Sequence, residues 1–312
     1  MRASVHISRA AGAILGSVVA VAVLAAGTTP ALAATHHHGH AAPRRPPVPR
    51  GIDVSYPQCG RRLPRSTSFA VVGVNDGVAN TLNPCFGTSS AYPSYRQSEL
   101  YWALTAARGR TRQPRVSLYV NTAAPGSMYH GRPVRDWPTS GRTPYGPCYT
   151  TRVHIHRRTV RIGQVSRACS WRYGYQRATQ DAAWLRRTAR SLDRQQHHVR
   201  VSDAPSHYGW WLDVETSSLW RGHREMNVAV LQGMVAGLRH AGVRRIGVYS
   251  TQWQWDAITG GSRAGSLHRL ATWVPGAPSL GAARSRCGRP TFTGGRVSLT
   301  QWFGALDGDY SC

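Results

Sequence analysis

The sequence predicts an α/β fold, a modified TIM-like barrel of strands and helices with three disulfides. Three observations lead to this prediction. Short apolar segments alternate with segments of helical periodicity, residues 51–312 come close to the ~250 residues of such a barrel, and the number of cysteines, six, is even. Strands that are almost continuously apolar are typical of a parallel sheet covered by helices on its outer face.

Seven segments rich in β-branched, aromatic and apolar residues are the predicted strands. They are residues 51–55, 69–75, 116–121, 210–215, 246–250, 271–274 and 297–302. Apolar residues three or four positions apart predict helices over residues 94–108, 173–196 and 225–240. Gly109 and Gly242 follow the first and third of these segments, where glycine commonly ends a helix.

The first 33 residues are predicted to be a secretory signal peptide. Arg2 and Arg9 flank the start, an apolar run covers residues 13–26, and Ala31-Leu32-Ala33 has the small residues of a cleavage site. A membrane anchor is the weaker interpretation because the run is shorter than the ~20 residues of a membrane span. We therefore expect a secreted protein, extracellular or associated with the cell wall, without a transmembrane segment after cleavage.

Residues 34–50 are predicted to be a flexible linker, because they are rich in His, Pro and Arg and have no hydrophobic periodicity. Their histidines offer ligands for a transition metal, but a low-complexity linker is the preferred interpretation. The barrel domain is then expected over residues 51–312. This part has no zinc-helix, phosphate-loop or paired CxxC motif, so we expect neither a metal nor a cofactor.

The net charge of the chain indicates which classes of molecule it can bind. All 39 basic residues are arginine, only 13 residues are acidic, and the formal net charge is +26. A hydrophobic share of 41% excludes a fully disordered chain. Such a charge favours polyanions, among them nucleic acid, anionic wall polymers and lipid headgroups. Because no nucleic-acid-binding motif is present and export is predicted, a nucleic-acid partner is not expected.

Export to an oxidising compartment makes the six cysteines candidates for a disulfide framework. Six cysteines can pair in fifteen ways. We predict sequential pairing because it closes the three shortest loops: Cys59 with Cys85, Cys148 with Cys169, and Cys287 with Cys312.

Several of the few acidic residues stand at or just after the ends of predicted strands. In the segment GWWLDVE, the two-residue period of a strand places Trp211, Asp213 and Glu215 on one face. Asp53 stands near the end of the first strand, and Asp307 and Asp309 follow the last one. Carboxyl ends of parallel strands meet on the active-site side of a barrel, so these acids predict an acidic cavity mouth. Salt bridges with the many arginines are an equally good interpretation of the Asp213 and Glu215 pair.

The ordered set of motifs resembles the family 25 glycoside hydrolases, and more closely a group of secreted actinobacterial glycoside-hydrolase-like domains of that type. The set covers residues 51–312 and comprises GIDVSYPQCG, FAVVGVNDG, SLYVNTAAPG, GWWLDVETSS, RIGVYSTQWQW, ATWVPGA and LTQWFGALDGD. The resemblance implies a modified β/α barrel and a muramidase that cleaves β-1,4 bonds in peptidoglycan.

The resemblance also implies roles for particular residues. Glu215 matches the general acid, while Asp213, Asp53 and Asp309 match the other catalytic positions, with Asp307 as the alternative to Asp309. We expect Asp213 and a wall of tryptophan to raise the pKa of Glu215. The residues expected to contact the sugar are Trp211, Tyr249, Trp273, Gln301, Trp302, Asp76 and Asn121.

Two of these positions depart from the family pattern. Asp76-Gly77 stands where the hydrolases tend to have Glu-Gly, and Asn121 replaces a histidine-bearing strand end. Two functions therefore remain open. The protein is either a hydrolase of cell-wall polysaccharide that uses carboxylate acid/base catalysis, or a catalytically silent protein that binds wall glycan or anionic wall polymers.

Overall fold

The computed structural model of the protein describes residues 49–312 except 127, 130–131, 134–139 and 156–157. The predicted signal peptide and residues 34–48 of the predicted linker lie outside the described residues. The strands are β1 (Arg50–Val54), β2 (Phe69–Gly73), β3 (Val116–Asn121), β4 (Met128–Tyr129), β5 (Arg132–Pro133), β6 (Arg142–Thr143), β7 (Gly146–Pro147), β8 (Thr150–Ile155), β9 (Arg158–Gly163), β10 (Gly209–Asp213), β11 (Arg245–Tyr249), β12 (Ala271–Ala277), β13 (Val297–Trp302) and β14 (Gly308–Ser311).

The helices are α1 (Glu99–Ala106), α2 (Arg167–Gln195), α3 (Arg224–His240), α4 (Gln252–Thr259) and α5 (Leu280–Ser285), with short 3-10 helices at Tyr56–Gln58, Tyr95–Gln97, Pro205–His207 and Gly265–Leu267. The first three helices follow the predicted segments with shifted ends, whereas α4 and α5 were not predicted. Serine or threonine side chains cap the amino ends of α1, α2, α4 and α5. The helix α3 packs against α2 at a glycine, because a Cβ atom on Gly233 would lie 2.0 Å from the carbonyl oxygen of Trp171.

Eight strands close into a barrel in the order β1, β14, β13, β12, β11, β10, β3, β2. Seven of them are parallel, and β14 runs antiparallel between β13 and β1. This confirms the prediction of a modified α/β barrel. The reversed direction of β14 has a consequence for the site, because its first residues lie at the carboxyl ends of the seven parallel strands.

Alternation along the strands divides the core into two parts. Trp210 and Leu212 of β10 pack outside the barrel in the large cluster that includes the helices. Trp211 points into the barrel, where it packs with Phe69, Val71, Trp273 and Leu299. Gly247 makes room for this indole, since a Cβ atom on Gly247 would lie 2.2 Å from the Trp211 ring.

Three disulfides join Cys59 to Cys85, Cys148 to Cys169 and Cys287 to Cys312, which confirms the sequential pairing. The described residues from 49 onward belong to one compact unit, and β1 begins at Arg50, the last residue of the predicted linker. Within the described part of the chain, no helix has both the length and the apolar character needed to cross a bilayer.

Candidate active site

An open pocket of about 440 Å³ lies at the carboxyl ends of the barrel strands. Its lining contains four carboxyl side chains, three aromatic rings and one amide: Asp53, Tyr119, Asp213, Glu215, Tyr249, Trp273, Gln301 and Asp307. No arginine is among these described lining residues, although the chain contains 39 arginines. The ion pairs seen between described residues, Arg190 with Asp203 and His223 with Glu225, involve no pocket acid.

The carboxyl of Asp213 stands at the end of β10 and is almost fully buried. The side-chain amide of Asn121, on the neighbouring strand β3, donates to its Oδ2 atom at 2.6 Å. Burial raises the pKa of Asp213 well above its ordinary value, and the negative charge of Glu215 raises it further, while the Asn121 hydrogen bond opposes the shift. This carboxyl therefore holds its proton to unusually high pH.

Glu215 follows two residues after the end of β10, rather than within the strand as predicted, and is half-buried. Ser217 Oγ donates to its carboxyl at 3.5 Å and Gln254 Nε2, from α4, at 3.4 Å. Its main-chain oxygen accepts a 2.9 Å hydrogen bond from the indole of Trp220. The loop is thus held so that the Glu215 carboxyl faces the open pocket next to Asp213.

Asp53 and Asp309 form a second pair of acids. Asp309 on β14 pairs with Gly51 of β1 on one side and Gln301 of β13 on the other. It is fully buried, and neither carboxyl oxygen has a hydrogen bond of normal geometry with a described residue. Burial and the negative charge of Asp53 raise the pKa of Asp309 well above its ordinary value, while the facing indole N–H of Trp273 offsets part of the rise.

Asp53 is the more accessible acid of this second pair. Burial raises the pKa of Asp53 to about 7, and a 3.0 Å hydrogen bond from Gln301 Nε2 to Asp53 Oδ2 acts in the opposite direction. The protonated carboxyl of Asp309 also lowers the pKa of Asp53, since it faces Asp53 as a donor. Of these two acids, Asp53 is the first to ionise as the pH rises.

Asp307, the alternative candidate, lines the pocket, and burial raises its pKa as well.

Aromatic rings form the wall of the pocket beside these acids. The rings of Tyr249 and Trp273 meet edge to face with centroids 4.5 Å apart. The Tyr249 hydroxyl donates to Gln301 Oε1 at 2.9 Å, and Gln301 in turn donates to Asp53. Gln301, expected as a sugar contact, therefore also links an aromatic side of the pocket to a carboxylate.

Four of the predicted sugar contacts do not line the pocket. Trp211 lies in the barrel interior, 4% exposed, with Trp273 above it at a centroid distance of 5.9 Å. Trp302 packs over Gly308, since a Cβ atom there would lie 2.2 Å from its ring. Asp76 is half-buried in the loop after β2, where its main-chain N–H donates to the Thr81 oxygen. Asn121 also stays outside the lining and acts on Asp213 instead.

Tyr119 is a lining residue that the sequence prediction missed. It precedes Asn121 by two positions on β3, so the alternation that places Asn121 inward also places Tyr119 inward. Burial raises the pKa of its hydroxyl, and a hydrogen bond involving Ser55 opposes the shift. The two-residue period of a strand in the segment SLYVN was the signal that could have identified this residue.

A hydrogen-bond chain supports Asn121 from behind the site. The main-chain N–H of Asn121 donates to Asn75 Oδ1 at 2.9 Å, and Asn75 Nδ2 donates to Asp181 Oδ1 on α2 at 3.1 Å. Both Asn75 and Asp181 are fully buried. Since Asn121 also accepts from the Gly77 N–H at 3.1 Å, its amide is fixed before it contacts Asp213.

One cluster of potential metal ligands occurs among the described residues: Cys59, Cys85 and Glu99. Both sulfur atoms of this cluster belong to a disulfide, so neither is a thiolate that could bind a metal.

Part of the chain matches known proteins. The family model Lysozyme-like protein 1 matches residues 195–277, the segment that contains Asp213, Glu215 and Trp273. The protein described as Probable GH family 25 lysozyme 4 of Dictyostelium discoideum is 44% identical over 76 residues, which are 23% of this chain and 35% of that protein. The chain resembles the family 25 lysozymes. A second protein of the same organism, described as Probable GH family 25 lysozyme 2, is 44% identical over 62 residues, which are 20% of this chain and 28% of that protein.

The matched segments thus span about a third of these relatives. Among solved structures, a muramidase from Trichobolus zukalii aligns with 84% of this chain and 93% of its own, at 12% identity and a TM-score of 0.44. A bacterial lysozyme from Streptomyces coelicolor aligns with 84% of this chain and 91% of its own, at 14% identity and a TM-score of 0.40.

Proposed function

We propose that the protein is a secreted glycoside hydrolase of the lysozyme type that cleaves β-1,4 bonds of peptidoglycan. The observation that carries this proposal is the open pocket lined by Asp53, Asp213, Glu215 and Asp307 in a chain whose net charge is +26. Acids gathered without arginine partners are costly, because like charges repel and burial disfavours ionisation. Such an arrangement is typical of sites that hold and transfer a proton.

Glycoside hydrolysis needs one protonated carboxyl and one ionised carboxylate on either side of the scissile bond. Asp213 and Glu215 are neighbouring carboxyls of the pocket lining, and the raised pKa of Asp213 keeps a proton at this pair. Glu215 is the member that faces the open side. In our proposal the Glu215 carboxyl delivers a proton to the glycosidic oxygen as the bond to the anomeric carbon breaks.

Asp53 supplies the negative charge for the other half of the reaction. Because Asp309 keeps its proton to higher pH, Asp53 carries the negative charge of the second pair. Its carboxylate, held by Gln301, stabilises the positive charge that develops on the sugar. Water then adds hydroxide to the anomeric carbon and returns a proton to Glu215, which restores the starting state.

The aromatic wall suits a sugar ring. Tyr249 and Trp273 present apolar ring surface beside the acids, and sugars have apolar C–H faces that pack on such rings. Because Trp273 is only 2% exposed, we assign the larger contact to Tyr249 and the pocket floor to Trp273. The three disulfides fit a protein that works in an oxidising compartment.

The decisive experiment compares three proteins on purified peptidoglycan, with release of reducing ends as the readout. The wild type is tested beside Glu215→Gln and the matched control Glu225→Gln, which makes the same change at an exposed glutamate of α3. We expect Glu215→Gln to lower the rate by about 100-fold or more. The control should retain the wild-type rate. Equal release by all three proteins would overturn the proposal.

The net charge of +26 favours a second candidate, a wall-binding protein without turnover. Co-sedimentation with peptidoglycan in the same samples separates the two. Salt-sensitive binding by all three proteins, with no reducing ends from any, is the result expected of the silent protein.

A further inference from the structure

A second open pocket, of about 590 Å³, lies at the opposite end of the barrel from the acids. It is built from the first residues of β10, β11, β12 and β13 and from the loop that precedes β3. Its lining comprises Arg112, Gln113, Pro114, Gly209, Trp210, Trp211, Arg244, Arg245, Ile246, Gly247, Ala271 and Ser298.

The rim of this basic pocket is formed by Arg112, Arg244 and Arg245, all of them exposed. Its described lining residues include no acid. Arg112 is anchored, since its guanidinium donates to the main-chain oxygen of Cys312 at 3.1 Å. Next to it, Gln113 Nε2 donates to the Ser298 oxygen at 2.8 Å, so the loop that bears Arg112 is tied to β13.

The floor of the basic pocket is apolar and aromatic. Trp210 and Trp211 are both almost fully buried, and Ile246 is half-buried. The indole N–H of Trp211 is buried and has no hydrogen-bond partner among the described residues. Cations around an apolar floor are suited to a ligand that joins an anionic group to an organic part.

We propose that the basic pocket binds phosphate groups of a phosphodiester polymer. Guanidinium pairs strongly with phosphate, often through two parallel hydrogen bonds. Three arginines around one opening offer cationic partners for more than one phosphate group of the same chain. The apolar floor then contacts the carbon atoms between the phosphates, and the volume accommodates more than a lone ion.

The proposal does not depend on catalysis, because the two pockets lie at opposite ends of the barrel. An enzyme whose basic pocket binds a cell-wall polymer stays attached to the cell wall, while the pocket that contains the carboxyls remains free for substrate. Failure of the hydrolase proposal would leave the basic pocket untouched, and the test below needs no turnover.

The experiment measures binding by titration calorimetry with two probes, inorganic phosphate and poly(glycerol phosphate). The triple variant Arg112→Gln/Arg244→Gln/Arg245→Gln is compared with wild type. A control triple variant, Arg187→Gln/Arg194→Gln/Arg200→Gln, removes the same charge from exposed positions on and after α2. If the Arg112 change prevents folding, the double variant Arg244→Gln/Arg245→Gln replaces the first triple, with Arg187→Gln/Arg194→Gln as its matched control.

We expect the pocket variant to bind poly(glycerol phosphate) at least about tenfold more weakly than the control variant. A pocket-specific loss with inorganic phosphate as well identifies the phosphate group itself as the ligand, whereas a loss with the polymer alone shows that the chain is required. Equal weakening in both triple variants would mean that only total charge matters and would overturn the proposal, as would unchanged binding of both probes.

Discussion

Two groups of buried carboxyls in this protein share a raised pKa and differ in where they lie and in whether a second acid stands beside them. Asp213 and Asp309 belong to the barrel interior, and each has its pKa raised by burial and by the charge of a second acid. Glu99 and Asp181 lie on α1 and α2, where burial raises their pKa values to about 8 and about 7. Each of these helix acids accepts one amide hydrogen bond, from Asn83 at 2.8 Å and from Asn75 at 3.1 Å.

The comparison teaches that burial alone does not make a catalytic acid. Glu99 and Asp181 satisfy the same electrostatic criterion as the pocket acids, yet neither lines the open pocket. The interior acids stand next to Glu215 and Asp53, which face a volume that a sugar can enter. A raised pKa becomes useful for catalysis only where a second carboxyl and an open space accompany it.

The largest expected effect separates these two groups by activity. In the proposed mechanism Asp53→Asn removes the carboxylate that stabilises the developing positive charge, so we expect turnover of peptidoglycan to fall by about 100-fold. Asp181→Asn makes the same chemical change at an acid whose pKa is raised to a similar value. It should leave turnover close to that of the wild type, because the asparagine oxygen can still accept from Asn75.

We would measure the rate of reducing-end release for both variants and use thermal denaturation to check that each is folded. Equal loss of turnover in Asp53→Asn and Asp181→Asn would remove the distinction between the two groups. Asp53→Asn should also lower the pKa of Asp309, since the charge of Asp53 is one of the causes that raise it.

The next effect concerns stability and should appear in the helix group. The folded pKa of Glu99, about 8, lies above the unfolded value of 4.5. Its contribution to stability is fully present below about pH 4.5 and is lost as the pH rises through 8. In Glu99→Gln an amide replaces the carboxyl and cannot ionise, so this loss should vanish. At pH 8 the variant should exceed the wild type in unfolding free energy by roughly 4 kcal/mol.

Urea denaturation at pH 5 and pH 8 measures this difference. Glu225→Gln serves as the control, because this substitution removes the same carboxyl group from an exposed position on α3. A wild-type protein equally stable at both pH values, with no gain in Glu99→Gln, would contradict the account of Glu99. Activity of Glu99→Gln should be unchanged at both pH values.

Local patterns in the sequence predicted much of the barrel but not its closure. Seven apolar runs marked the parallel strands, and the even cysteine count with short loops marked the disulfides. The strand β14 was missed because the segment GDYS has no apolar alternation. Its extended form comes from hydrogen bonds to β13 and β1, which no local pattern contains.

The sequence predicted which face of a strand each site residue occupies, but not how deep in the barrel its side chain lies. Period two placed Trp211 and Asp213 on the same side of β10, and both do point into the barrel. Whether a residue reaches the opening depends on its layer, and Trp211 stands one layer below the pocket beside Gly247. Trp302 illustrates the other limit, because the inward position of Gln301 turns the next residue outward.

The smallest expected effect tests how the pocket acids are tuned by neutral neighbours. The Asn121 amide lowers the pKa of Asp213, so Asn121→Ala should raise that pKa further, by about one unit for the loss of a hydrogen bond to a charged group. Thr122→Val is the matched control, because the Thr122 hydroxyl donates to the main-chain oxygen of Asp213 and not to its carboxyl. Carboxyl ¹³C NMR titration reports the shift directly, and the pH–activity profile should move upward with it. A similar shift in both variants would mean that packing around β10, rather than the amide of Asn121, sets the protonation of Asp213.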